Sequence, residues 1–437
     1  MTILSFFTIR RYMNEYRLVK HRRLFHSSFY KPITVIAPAY NEESTIVESV
    51  KSMLQLNYPE FEIIVVNDGS SDRTLEILKE GYKLRKSLFP HQKLIPCKDI
   101  KGIYASEDYP NLVVVDKING GKADALNAGI NVAKYPLVSA IDSDSLLEPD
   151  AMLKLVRPFL DDKKTIAVGG IVRIANECKI VAGTVVEINL SAKWLPKFQI
   201  VEYLRSFLFG RVGLDALNSL LIISGAFGLF KKEAIVEYGG YLHNTVGEDM
   251  ELIVRMHRRV REKNKPYRIT FVPEPVCWTE VPETLKVLER QRNRWHRGLM
   301  DSLWIHKKML LNPRYGIVGL FAMPFYFFFE MLGPIVELLG YIVVPLSLYF
   351  HIINVQFAVL FFFVAFVLGI VLSLSSLVLE ELSFRRYPKY SHVLQLFVFA
   401  VFENFGYKQL HIWWRFKGII DFLKGSKQWG KMERKGF

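Results

Sequence analysis

The chain has 437 residues, half of them hydrophobic and 14% aromatic, and Lys+Arg 57 against Asp+Glu 43 leaves a formal charge of +14. So large an apolar share excludes a purely soluble protein of this length and assigns part of the chain to lipid. The positive excess suits phosphate groups, nucleic acid or an anionic membrane face without choosing among them, and three cysteines with no metal-like spacing fit a reduced, cytoplasmic catalytic portion.

Residues 1–30 read as a basic juxtamembrane segment. The apolar start, Ile3 to Ile9, runs directly into Arg10 and Arg11 with no small-residue cleavage site, so no cleavable signal is expected. Residues 31–280 alternate short strands with amphipathic helices. "PITVIAPAYNEE" gives a strand over Ile33–Ala37 that ends in a loop and helix, and "FEIIVVNDGSSD" repeats the pattern with a strand over Ile63–Val66. Two such units in a row predict a parallel, doubly wound α/β sheet, in which ligands bind at the carboxyl ends of strands. Tyr40, Glu42 and Asp68 fall there. Ser70, Ser71 and Asp72 read first as helix caps.

A third strand, "NLVVVDKI", leads into "NGGKADALNAG", where a helix starting near Ala123 could hold a phosphate at its positive end with Lys122 adding a full charge. The spacing is not that of a P-loop. In "LVSAIDSDS", Asp142 and Asp144 are two apart, so on an extended backbone both carboxylates point to one side, where a hard cation, Mg²⁺ or Mn²⁺, would relieve their repulsion. The competing reading is a solvated turn built on Ser143 and Ser145. Further on, Ser224 to Gly228 forms a small-residue turn open to a bulky ligand, and "VGEDMELIVRMHRR" sets Glu248 and Asp249 at the start of an amphipathic helix. Asp249 suits a general base, although acids there also complement the helix dipole.

Residues 281–313 carry a helix predicted from Pro282 and Glu283, on which Gln291, Arg294 and Trp295 share a face offering an amide, a guanidinium fork for a diphosphate and an indole for a sugar ring. A nucleic-acid groove would interleave more aromatics with the basic residues, so no nucleic-acid partner is expected. Arg290, Arg297, Lys307 and Lys308 read as a headgroup-facing surface.

Past Asn312-Pro313 the chain turns apolar, and residues 314–414 read as transmembrane or interfacial helices. Val355 to Leu379 runs 25 residues without a charge, about 37 Å as a helix, enough to cross a bilayer core of about 30 Å. Ile317 to Phe350 reads as an interfacial stretch leading into a second span, and Tyr390 to Trp414 as a weaker third, interrupted at Glu403 and Asn404. Glu330, Glu337 and Glu403 fit either a polar path or an interfacial position. Basic residues at the front (Arg10, Arg11, Arg17, Lys20, Arg22, Arg23), at Arg385, Arg386 and Lys389, and in the 415–437 tail all belong on the cytoplasmic side, which two crossings satisfy.

The ordered set Asp68, Asp142-Ser143-Asp144, Gly247-Glu248-Asp249 and Gln291-Arg292-Asn293-Arg294-Trp295 resembles the D, DxD, TED, QxxRW signature of processive family 2 glycosyltransferases. It is most similar to poly-N-acetylglucosamine, chitin-oligosaccharide and hyaluronan synthases. The resemblance covers residues 32–300 and continues into the membrane part; Gly247 stands where the family usually has threonine. It implies a GT-A fold, a mixed Rossmann-like sheet with helices on both faces, followed by a helical transmembrane region, in a multi-pass plasma-membrane protein with its catalytic domain in the cytoplasm. Asp68 would meet the uracil of a UDP-sugar with Tyr40, Glu42 and Lys122 nearby, and Asp142 would face the nucleotide. Asp144, with Asp142, would hold Mg²⁺ or Mn²⁺ on the diphosphate. Asp249 would be the base, with Glu248 beside it, and Gln291, Arg294 and Trp295 would hold the diphosphate and the acceptor end. The activity implied is inverting extension of a β-linked glycan from a UDP-sugar, UDP-N-acetylglucosamine before UDP-glucose, coupled to its passage through the membrane. Single-sugar transfer to a lipid acceptor is the alternative. Membrane lipids, a growing glycan or lipid-linked acceptor and room for an accessory membrane subunit complete the expected partners.

Overall fold

The computed structural model describes residues 2–18 and 30–426; Lys20, Arg22, Arg23, the side chain of Arg17 and the basic tail beyond 426 lie outside them. Helix α1 (Thr2–Leu18) lies across later helices, with Ile9 buried and the Ser5 hydroxyl donating to the Phe209 carbonyl at 2.7 Å. The sheet then begins with β1 (Ile33–Ala39), α2 (Ile46–Leu54), β2 (Phe61–Asn67), α3 (Thr74–Gly81), β3 (Leu84–Lys86), β4 (Ile100–Ser106), β5 (Leu112–Lys117), α4 (Lys122–Val132) and β6 (Leu137–Ile141). It continues through β7 (Ser145–Leu147), α5 (Ala151–Asp161) and β8 (Thr165–Ile174), leaves for a separate hairpin of β9 (Lys179–Val181) and β10 (Thr184–Glu187), and passes through helices α6 (Trp194–Tyr203) and α7 (Arg211–Ala216). It returns with β11 (Phe227–Lys231), α8 (Lys232–Glu237), α9 (Glu248–Glu262) and β12 (Arg268–Thr279).

Ten strands form one sheet in the order β3-β4-β5-β2-β1-β6-β11-β8-β12-β7. Its centre, β5-β2-β1-β6, is parallel as the strand-loop-helix repeats predict. The flanks are not: β11 runs antiparallel between β6 and β8, and β4 runs antiparallel to β5, so the sheet is mixed, as the GT-A resemblance implies. The central strands are mostly apolar because both faces are covered, and the polar residues they bury are paired, as where the Thr34 hydroxyl donates to Glu62 at 2.5 Å. Ile36, Ile64 and Val66 face the layer holding α4 and α9, whereas Val35, Ile63 and Val65 face the layer holding α2 and α5. A side chain at Gly129 would come within 2.4 Å of Ile36, so the glycine lets α4 lie close on β1 and sets where its first residue, Lys122, stands.

Helix α10 (Leu285–Ile305) follows, capped by the Thr284 side chain rather than starting at Pro282, which lies two residues before that cap. After a short turn capped by Asn312, residues 318–331 form a loosely wound helical stretch that bends by 43° into α11 (Gly333–Tyr349). Then come α12 (Val355–Ser383), α13 (Tyr390–Phe402) and α14 (Tyr407–Leu423). Among the described residues α12 is the one helix long and apolar enough by itself to cross a membrane, and the bent 318–349 pair is a second if it counts as one span. The Tyr390–Trp414 candidate breaks at Glu403–Gly406, where the sequence interrupts it, and α14 packs on α10 instead of extending α13. Glu403 is buried against Arg205 and the Ser373 hydroxyl, so it closes a contact rather than lining a path. Glu330 pairs with Arg415 at 3.0 Å.

Both ends of the α11–α12 hairpin face the catalytic layer, whereas its far turn exposes Tyr349, Phe350 and Ile352. At the near end Arg173 meets Glu380 at 2.5 Å, Arg386 meets Glu148 at 3.2 Å and Lys389 meets Glu187 at 3.1 Å. The basic loop after α12 therefore sits on the α/β domain.

Candidate active site

The site gathers at the carboxyl ends of β1, β2, β5 and β6. Asp68 follows β2 and is buried, with Lys117 Nζ at 2.5 Å from one oxygen and the backbone N–H groups of Gly120 and Gly121 donating to the two oxygens at 3.0 and 2.7 Å. Burial raises its pKa despite Lys117. Its carboxylate holds the 117–121 loop, at whose end Gly121 takes a φ of +88° that favours glycine before the chain enters α4. Lys117, fully buried, also meets Asp124 at 2.6 Å, and Asn67 donates to Asp116 at 2.7 Å. These partners were not singled out in the sequence, where a lysine at a strand end looks solvated.

Lys122 is the hub. Its ammonium pairs with Asp142, stands 3.9 Å from Glu248, and would lie 2.9 Å from a side chain at Gly225. Burial pulls this ammonium down, but Asp142 and Glu248 outweigh it and hold it above its usual value. Asp142 and Asp144 do not lie on an extended strand: β6 ends at Ile141, and Ser145 N–H donates to the Asp142 carbonyl at 3.0 Å, closing a tight turn. The turn corrects the extended reading and leaves Asp142 partly open with Asp144 buried.

From the other side, Asp249 Oδ2 accepts the Gly225 N–H at 3.1 Å and Oδ1 accepts its neighbour Met250 N–H at 2.8 Å. The Ser224–Gly228 turn thereby holds the base candidate directly. Burial raises the Glu248 carboxyl, Lys122 opposes and Asp249 adds to it, and the net value is about 7. Arg294 on α10 also faces Glu248 electrostatically. The two helices meet without side chains between them, because Gly247 precedes α9 and an added Cβ there would be 2.6 Å from the Gly298 Cα of α10.

Trp295 is 36% exposed, with the Arg292 guanidinium 4.1 Å from its ring centre and the Tyr203 and Phe207 rings at 6.5 and 6.3 Å. Arg292, not singled out in the sequence, is buried, donates to Gln291 Oε1 at 2.8 Å and meets Glu202 at 2.9 Å. Gln291 is thus buried, bonded to the guanidinium that lies on the Trp295 ring. Burial opposes ionisation of Glu202, yet Arg292 and His411 hold it well below the usual carboxylate range. Arg211 stacks over Phe207 at 4.1 Å and feels the Asp249 charge, linking the carboxylate end to the indole end. Arg297 is buried, donating to Asn293 Oδ1 and the Ser426 carbonyl at 2.9 and 2.8 Å, which corrects its headgroup assignment.

Tyr40 is exposed, and Glu42 accepts the Thr45 hydroxyl at 2.9 Å at the entry to α2. The segments after β1 and β2 are laced together: Ser71 N–H donates to Asn41 at 2.8 Å, Arg73 N–H to Glu43 at 3.1 Å and Glu43 N–H to Asp72 at 3.2 Å. Asp72 also accepts the Thr74 N–H at 3.0 Å. Among the described residues no three His, Cys, Asp or Glu side chains form a metal cage. Asp142 and Asp144 supply hard oxygen donors, a set that suits a divalent ion completed by phosphate oxygens and water.

A mixed sheet with helices on both faces, and acidic residues converging at its strand ends, defines a GT-A domain. The model of the glycosyl transferase family group 2 matches residues 137–374, and that of glycosyl transferase family 2 matches residues 34–238. The chain belongs to glycosyl transferase family group 2. Among curated relatives it is 33% identical over 267 residues to the poly-beta-1,6-N-acetyl-D-glucosamine synthase of Staphylococcus aureus strain COL, covering 61% of this chain and 54% of the relative. To the synthase of that name from Staphylococcus epidermidis it is 31% identical over 309 residues, 69% of this chain and 63% of the relative. The chain thus spans less than two thirds of these relatives. The mannosyltransferase PcManGT from Pyrobaculum calidifontis, solved with GDP-Man and Mn²⁺, superposes with a TM-score of 0.55 at 16% identity, over 96% of this chain and 95% of that one, a likeness of fold.

Proposed function

We infer that the protein is a membrane-bound, inverting glycosyltransferase that extends a β-linked glycan from a UDP-sugar, N-acetylglucosamine being the sugar its curated relatives favour. The observation that carries this reading is the meeting of Lys122, Asp142, Glu248 and Asp249 at one point, joined through Arg294 and Gly298 to the helix bearing Trp295.

Asp249, fixed by the Gly225 N–H, takes the proton of an acceptor hydroxyl as that oxygen attacks the anomeric carbon. The bond from that carbon to the diphosphate oxygen breaks on the opposite face, inverting an α-linked donor to a β-glycoside, and UDP departs. Lys122 and Arg294 face the charge that develops on the leaving diphosphate. Asp142 and Asp144 would hold Mg²⁺ or Mn²⁺, which when bound neutralises diphosphate charge. Asp68 acts by fixing the loop before Lys122, and its oxygens reach the nucleotide only if they share their present donors. Trp295, braced by Arg292, Tyr203 and Phe207, is a shelf for the acceptor sugar. The hairpin α11–α12 crosses the bilayer twice and leaves the catalytic layer on the cytoplasmic face.

A second reading, single transfer to a lipid acceptor, draws on the small membrane part, at most two spans among the described residues. The test is incubation of the full-length protein with Mn²⁺ or Mg²⁺ and a panel of UDP-sugars, with UDP release measured. Release is expected with UDP-N-acetylglucosamine above UDP-glucose and is expected to fall in Asp249→Asn; wild-type release by that variant overturns the base assignment.

A further inference from the structure

A cavity of about 620 Å³ lies away from the transfer site, where the loop after α12 meets the sheet edge. Its floor is Glu274 on β12, in the stretch where the β12–β8 register shifts and β7 has not yet paired, so this edge of β12 is open. Glu274 is 7% exposed and its Oε2 is buried without a hydrogen-bond partner. Lys154 and Arg386, which also line the cavity, are already engaged by Glu148 at 3.2 Å each. Arg385 stands at the mouth, its side chain 79% exposed and only loosely held by Glu381 at 3.7 Å. Asp150 and Glu187, each held by a lysine at 3.1 Å, and Ser383 add polar groups to the wall, and Val185, Ile188 and Phe384 supply its apolar part.

A buried carboxylate without a partner is costly unless a donor meets it. Burial pushes Glu274 up to about 7, with Lys154 opposing and Asp150 adding, so an arriving cation finds it ready to ionise. The cavity borders Ser383, the last residue of the apolar helix α12, and the neighbouring hairpin exposes Val181 and Val186. With α11–α12 crossing the bilayer as proposed above, that is the depth of lipid headgroups.

We propose that this cavity binds the aminophosphate headgroup of a bilayer lipid, its primary ammonium on Glu274 and its phosphate at Arg385, with the glycerol end against Val185 and Phe384. An ethanolamine phospholipid carries both a primary ammonium and a phosphate; a choline headgroup has no N–H to give Glu274, and a glycerol headgroup has no cation. The proposal needs the membrane placement and not the transfer chemistry, so it can fail while the transferase reading stands.

The test uses the full chain in nanodiscs whose lipid is phosphatidylethanolamine, phosphatidylcholine or phosphatidylglycerol, with retained lipid counted by native mass spectrometry. The wild type should retain the ethanolamine lipid about tenfold over the choline lipid. Glu274→Gln should erase that preference, and Arg385→Glu, a change at an exposed side chain, should weaken retention of the ethanolamine and glycerol lipids together. Soluble O-phosphoethanolamine, titrated in detergent, distinguishes the source: binding as tight as the lipid's supports the same chemistry with a free ligand, and much weaker binding supports the lipid. A wild type that does not discriminate ethanolamine from choline, or a folded Glu274→Gln protein that still does, overturns the proposal.

Discussion

Gly298→Ala tests whether the transfer site depends on the close crossing of α9 and α10. A Cβ at Gly298 would sit 2.7 Å from the Gly247 Cα, 3.0 Å from its nitrogen and 3.2 Å from the Val246 carbonyl, all backbone atoms that no rotamer can move aside. Ordinary carbon contacts lie at about 3.5–4.0 Å, so the helices must part by about 1 Å. Alanine is the better helix former by roughly 1 kcal/mol, which offsets part of an overpacking cost of about 1–3 kcal/mol, and the fold should survive. The displacement falls between Glu248 and Asp249 on one helix and Arg294 and Trp295 on the other. A misplacement of about 1 Å is expected to lower kcat about 100-fold, roughly 2.7 kcal/mol in barrier. UDP affinity should stay within about twofold, because Asp68 and Lys122 are carried by β2 and α4. UDP release with UDP-N-acetylglucosamine and a UDP titration measure the two quantities. Gly81→Ala, where a Cβ meets open space, is the control. Wild-type kcat in a folded Gly298→Ala protein would refute the crossing as the element that aligns base and shelf.

Further outcomes follow from the same geometry. Arg292→Leu leaves the buried Glu202 carboxylate only the Tyr407 hydroxyl and His411 and should cost roughly 3 kcal/mol, read as a fall in Tm, with Arg292→Lys recovering part of it. Glu202 itself is held below its unfolded value of 4.5, so its contribution is present above that pH and is lost as pH falls through the depressed folded value; Tm measured from pH 7 to pH 3 should drop less steeply in Glu202→Gln. Glu248 has the opposite sign: its raised folded value leaves its stability complete below 4.5 and lost as pH rises through about 7, so Glu248→Gln should gain Tm over the wild type at pH 8 and not at pH 4. Removing divalent ions with a chelator should abolish transfer and Mn²⁺ should restore it, whereas Asp144→Asn should raise the Mn²⁺ concentration needed, measured by UDP release.

The parts of the fold visible in the sequence are those where a local pattern carries the whole signal. The four central strands are largely apolar because both faces are buried, and Asp68, Lys122 and Asp249 stand out as polar residues where such a strand ends or a helix begins. The flanking strands were not visible, since β3 and β7 are three residues each and β12 contains Pro273 and Pro275 at its register shift. Nor could spacing show that Asp142 and Asp144 lie in a turn, because the Ser143 and Ser145 that favour it also fit a strand edge. Lys117 with Asp68 and Arg292 with Glu202 are pairs 49 and 90 residues apart, and each partner alone looks like a solvated charge. The Arg297 assignment failed for the same reason: only the packing of α14 on α10 brings the Ser426 carbonyl to it.

Mass spectrometry of the products formed by the purified full-length protein from UDP-N-acetylglucosamine and Mn²⁺ is the most direct test of the central reading. That reading requires a ladder of β-linked products, each one sugar longer than the last, and no ladder from Asp249→Asn. A lipid carrying a single added sugar, or UDP released with no glycan formed, would contradict it.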